Sequence, residues 1–121
     1  LGQRAPPFFD GFHQAAASFA NAGNDLILEH ILDTVGWHQD LQTLLLGHDL
    51  LFVGLHTPLE QLAAREATRS DRRRGSAAAD FTSIHLGLSY DLTLDGTCPP
   101  AENAARVLAV LVQPLRLSRF F

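Results

Sequence analysis

The sequence predicts an α/β domain built on an open parallel sheet, and three observations lead there. Short apolar runs, Leu26-Ile27-Leu28, Leu50-Leu51-Phe52-Val53-Gly54-Leu55 and the alternating Tyr90-Asp91-Leu92-Thr93-Leu94, are separated by stretches with apolar residues at helical spacing. The first two runs are continuous rather than alternating, the pattern of strands covered by helices on both faces. Strand and helix then alternate along 121 residues, a length that supports one domain with one core.

Residues 1–7 read as an extended lead-in, because Pro6-Pro7 stops a helix before it. Phe8, Phe9, Phe12, Ala15, Ala16 and Phe19 recur at three- and four-residue spacing, which predicts an amphipathic helix over 8–22 stopped by Gly23. Leu26 to Leu32 is expected to be a buried strand ending in polar groups. Trp37, Leu41, Leu44 and Leu45 give a helix over 33–46, closed by Gly47. A second buried strand is expected over 49–56. Thr57 as N-cap, Pro58 at the first helical position and Glu60 three residues after the cap open the next helix, to about Thr68. Residues 69–75 are too charged to be buried and read as a connection, and 76–81 could add a helical turn. Residues 89–95 alternate as a third strand. Pro99-Pro100 start a last helix through Ala104, Val107, Leu108, Leu111 and Val112, and residues 115–121 read as a tail.

Composition narrows the function classes. A hydrophobic fraction of 46% with 18% charged residues excludes a disordered tail. The net charge of −4 argues against general nucleic-acid binding, although Arg72-Arg73-Arg74 needs its own explanation. Cys98 is the single cysteine, which fits a reducing compartment. No stretch of 18 apolar residues or signal pattern is present, so no membrane role is expected and the cytoplasm is the expected location. The chain begins at Leu1 and has no methionine, which suggests a piece of a longer reading frame. All nine basic residues are arginine, so lysine-dependent chemistry is absent from these residues.

Four stretches then fall into a pattern. They are Ala22-Gly23 leading into Leu26-Ile27-Leu28-Glu29-His30-Ile31-Leu32; Leu51-Phe52-Val53-Gly54-Leu55; Arg65-Glu66 with Arg69, Asp71-Arg72 and Gly75; and His85 with Gly87, Tyr90-Asp91 and Asp95. In this order and at these separations the chain resembles the chloramphenicol phosphotransferase-like family of P-loop kinases, over about residues 9–112. The resemblance implies a three-layer P-loop kinase-type parallel sheet, incomplete here. The glycine-rich phosphate loop with its lysine, and the central first strand before it, match nothing in this sequence. It further implies ATP and Mg²⁺ as cofactors and transfer of the γ-phosphate to a hydroxyl of a small molecule, a chloramphenicol-like antibiotic or related metabolite. Families of this kind order their strands 2-3-1-4-5, so the strands near Leu28 and Phe52 would flank an empty place. On that expectation the 121 residues alone would be inactive, bind ATP negligibly and tend to aggregate.

Candidate site residues follow. Phosphoryl transfer spreads negative charge over oxygens that arginine's planar fork meets in pairs. The resemblance places Arg69 and Arg72 in a lid over the phosphates (about 69–81), with Arg65 opening the same motif. The competing reading is a solvated charge run, which Arg73 and Arg74 fit better. Glu29, at the expected strand end, could hold a Mg²⁺-bound water or position the acceptor hydroxyl, or could bond only to neighbouring backbone. The six histidines show no close ligand pair, so no metal site is expected. His30 and His56 read as strand-end residues, His85 as structural, and Asp91 with Asp95 as structural carboxylates. A phosphotransferase is therefore expected, with a binding module that has lost the phosphate loop as the alternative. RNA binding through Arg72–Arg74 is disfavoured by the acidic charge. A homo-oligomer stays open.

Overall fold

The computed structural model describes residues 5–58, 87–114 and 117–121. Its elements are helix α1 (Ala5–Asn21), helix α2 (Trp37–Leu44), strand β1 (Val53–His56), strand β2 (Leu92–Asp95) and helix α3 (Pro100–Leu111). They fall into two compact units, Leu1–His48 with Phe121, and Asp49–Phe120. The α/β class is as expected. The helix predicted from Thr57, the 69–75 connection, the 69–81 lid and His85 lie outside the described residues. Among the described residues, no helix is long and apolar enough to cross a membrane.

In the first unit, α1 starts earlier than expected, with Pro6 and Pro7 inside its first turn rather than in a lead-in. Proline suits that place, because first-turn amides have no acceptor within the helix and its φ is already helical. His13, Ala16 and Ala17 form the buried stripe, while Phe8 and Phe19 face solvent. The helix ends where Gly23 predicts. The Gly23 amide donates to the Ala20 carbonyl and the Asn24 amide to Phe19, the paired bonds of a Schellman motif. Helix α2 packs on α1, with Leu41 and Leu45 buried. The Phe9 and Trp37 rings lie 4.2 Å apart between centroids.

The expected strand at Leu26 to Leu32 is not formed. Residues 24–33 take no regular structure, and Ile27 is 98% exposed. An apolar run supplies side chains but not a partner ladder, and a strand without one leaves its backbone groups unpaired. Among the described residues nothing pairs with it, so it stays irregular.

In the second unit both strands are shorter than the apolar runs. β1 and β2 pair in parallel, Val53 opposite Leu92 and His56 opposite Asp95. Parallel neighbours require a crossover connection, so both strands point their carboxyl ends to one edge. A single carboxylate fixes where they begin. Asp91 accepts from the Phe52 amide at 2.8 Å, the Ser118 hydroxyl at 2.6 Å and the Arg119 amide at 2.5 Å. Its own amide donates to the Phe52 carbonyl at 2.8 Å. The side chain thus ties the entrance of β1 and the 118–119 backbone to the entrance of β2. That tie seats the buried Phe120 ring 5.1 Å from Phe52, edge to face. Tyr90 lies against the backbone of Gly54, so closely that a Cβ there would overlap its ring. Helix α3 packs on β2 and is anchored by the Asn103 side-chain amide, which donates to the Asp95 carbonyl at 2.9 Å.

Two outcomes test this arrangement. Asp91→Ala strands the donors at the β1 entrance and at 118–119 and is expected to cost about 3 kcal/mol, since bonds to a charged acceptor are worth roughly 1.5–3 kcal/mol each and are not additive. Urea unfolding measures it. Gly54→Ala is expected to cost about 1–3 kcal/mol by overpacking against Tyr90, with part of the loss recovered when Tyr90→Ala is added.

Candidate functional site

Parallel pairing gathers polar groups at one edge of the sheet. β1 ends in His56 and runs into Thr57, while β2 ends in Asp95 directly opposite His56. Beyond the strands, the Gly96 amide donates to the His56 carbonyl at 2.7 Å, which carries the pairing one step further. The buried Thr57 hydroxyl sits against Gly96, where any side chain would overlap it. These ends, with α3 alongside, border a cleft of about 360 Å³. That volume lies at the lower end of small-molecule sites, roughly 300–1,000 Å³. Open parallel sheets bind their ligands at this edge.

The groups lining the cleft differ in chemistry. Asp95 Oδ1 accepts from the Thr97 amide at 2.8 Å and the Thr97 hydroxyl at 2.7 Å. Those bonds favour the charged carboxylate: the hydroxyl first, then the amide, hold its pKa below the ordinary carboxylate value. Arg106, from the middle of α3, reaches the same edge, and its Nη2 donates to the Thr93 carbonyl at 3.3 Å. A guanidinium carries five donors, so this bond leaves most of the fork for an anion. Thr57 and Thr93 add hydroxyls, and His56 adds an imidazole whose ring meets Tyr90 edge to face at 5.7 Å. Burial pushes the Tyr90 phenol above its ordinary value, so it is protonated and neutral at physiological pH. The cleft sets an ionised carboxylate, a guanidinium and two hydroxyls on an otherwise largely apolar lining, groups that can orient a polar ligand.

The residues predicted from sequence fare unevenly. Arg65, Arg69 and Arg72 lie outside the described residues. Glu29 sits exposed on the irregular 24–33 segment, so the strand-end placement given to it is corrected. His56 does end a strand. His30 does not; it pairs with His13 in the first unit. Arg106 and Thr57 were missed as cleft residues. Their signal was weak: a lone arginine on a helix face carries no mark of what lies beneath it.

A family model described as chloramphenicol phosphotransferase-like protein matches residues 2–113. The chain belongs to the chloramphenicol phosphotransferase-like family. Among curated proteins nothing matches. As a chloramphenicol phosphotransferase-like protein it is of the kinase-type phosphotransferase class at family level, and such kinases generally use ATP and Mg²⁺. Both paired strands, α3 and every residue lining the cleft lie within the matched span.

The Asp95 turn has a measurable consequence. Its carboxyl is held low in the fold, so the associated stability is present above the ordinary value of 3.8 and is lost as pH falls through the lower folded value. Thr97→Val removes the hydroxyl donor and is expected to raise the Asp95 pKa toward 3.8, read by carboxyl-carbon NMR titration.

Proposed function

We propose that this chain forms part of an ATP- and Mg²⁺-dependent phosphotransferase that moves the γ-phosphate onto a hydroxyl of a small molecule. The observation that carries this reading is the cleft at the parallel strand ends, with Arg106 and Asp95 on its walls, in a chain of phosphotransferase-like family. In this reading the fold is a three-layer P-loop kinase-type sheet of which β1 and β2 are neighbouring strands. The acceptor hydroxyl gives up its proton to solvent as its oxygen attacks the γ-phosphorus, the bond to the β–γ bridging oxygen breaks, and ADP leaves with that oxygen. Arg69 and Arg72 meet the charge on the transferred group, with Arg65 steadying the same motif. Glu29 matches an acidic position of the family and takes a role at the acceptor hydroxyl or at a Mg²⁺-bound water. Its glutamate is one methylene longer than the usual aspartate. A chloramphenicol-like antibiotic and another hydroxylated metabolite suit these residues equally.

One fact favours a second reading. The 121 residues hold no lysine, so a phosphate-cradling lysine would have to come from elsewhere. If none does, the chain is a binding module of the same fold.

Transfer from γ-labelled ATP to chloramphenicol and to a panel of hydroxylated metabolites, by the complete gene product, separates the two. Arg69→Ala or Arg72→Ala is expected to lower kcat by about a hundredfold or more, as loss of transition-state charge stabilisation does. Arg73→Ala and Arg74→Ala should stay near the parent. Absence of transfer to every acceptor would overturn the enzyme reading, and full activity in both lid variants would overturn the roles given to Arg69 and Arg72. Calorimetry on the 121 residues alone should detect no micromolar ATP affinity.

A further inference from the structure

We propose that His13 and His30 form a proton-operated latch, which holds the 24–33 segment on α1 while both imidazoles are neutral and releases it when they charge. His13 is 1% exposed, and its Nε2 lies 2.7 Å from Nε2 of His30. His30 Nδ1 lies 3.0 Å from the Ile31 carbonyl. A carbonyl only accepts, so the His30 proton is on Nδ1 and a neutral His30 offers Nε2 as acceptor. His13 therefore donates through Nε2–H. Its Nδ1 is left a bare acceptor, buried and without a partner among the described residues.

Apolar rings wall this pair. Trp37, Phe12 and Phe9 stand 5.2, 5.7 and 6.0 Å from the His30 ring, between centroids. The segment has little else to hold it to the helix, since Leu26, Ile27, Leu28 and Ile31 are all exposed. One added proton changes the balance wherever it settles. Whether His13 or His30 becomes the cation, His13 Nδ1 then carries a hydrogen with no acceptor in an apolar wall, a costly state. A second proton sets N–H against N–H, and the bond is lost.

The surrounding groups oppose one another. Burial is the largest influence and holds His30 below the ordinary value of 6.5; the Ile31 carbonyl pulls upward, His13 on α1 pushes down, and Asp33 on the same segment pulls up. From α2 the facing group is Trp37, which carries no charge. A base whose folded pKa is depressed contributes its full stability above the ordinary value, and loses it as pH falls below. The latch is therefore closed at neutral pH and opens in acid. Opening would also loosen the backbone that carries the exposed Glu29, next to His30; that consequence alone rests on the function proposed above.

Trp37 is the single tryptophan and reports directly, because withdrawal of the His30 ring uncovers its half-buried indole to water and shifts its emission to longer wavelength. The test follows Trp37 fluorescence, far-UV circular dichroism and imidazole ¹⁵N NMR of the whole 121-residue chain from about pH 8 to about pH 5, the span in which histidine titrates. Expected are His30 protonated on Nδ1 and His13 on Nε2 at the upper end, His30 titrating below 6.5, and emission shifting to longer wavelength with the same midpoint while helix content holds. His13→Gln, whose amide donates to His30 but never charges, should keep the His30 tautomer; His13→Phe should lose it. Mixed tautomers at high pH, His30 titrating at or above 6.5, unchanged emission through its transition, or helix loss in step with it would each overturn the latch. The tautomer measurement needs no substitution, so it decides even if a variant fails to fold.

Discussion

Two parallel strands make a site only if they start together, and here that start depends on the Asp91 carboxylate. Parallel pairing has no hairpin to set its register, because the strands are joined by a crossover rather than a turn. Asp91 supplies what a turn would. It sits one residue before β2 and binds the amide one residue before β1. With the entrances matched, the exits match too, and His56 comes to face Asp95. The polar edge of the second unit is thus determined at its opposite end. Ser118 and Arg119 close on the same oxygens, so the chain's last residues secure the sheet.

The chemistry at the exits follows from that alignment. Asp95 spends one oxygen on its own turn through Thr97, and that turn delivers the chain into α3. Its placement brings Arg106 back to the strand ends. A carboxylate kept ionised by local bonds and a guanidinium with unspent donors then share one cleft. In phosphoryl transfer little covalent work falls to a protein, and positioning of charge does most of it.

Much of this was legible in the residues, and the parts that were not have physical reasons. Helix stops were readable because Gly23 does local work that any sequence context permits. The parallel strands were readable as apolar runs, though both came out short, since pairing length is set by the partner and not by the run. Leu26 to Leu32 misled for the same reason: its composition is that of a strand, but a strand is a property of two segments. Glu29 was misplaced with it. The structural use of Asp91 was read from its four-residue spacing to Asp95 along one strand, while its reach to Phe52, Ser118 and Arg119 required the fold. His13 carried no sequence signal at all. It looks like one polar residue on an apolar helix face, and only the fold brings His30 to it.

The most direct measurement is amide chemical-shift mapping of the complete gene product titrated with Mg²⁺-ATP. If the strand ends receive the nucleotide, saturable shifts should centre on His56, Thr57, Asp95, Gly96 and Thr97, with the Arg106 side chain moving in parallel. Saturable binding that leaves all of these unmoved, or no binding at millimolar nucleotide, would contradict a nucleotide site at this edge of the sheet.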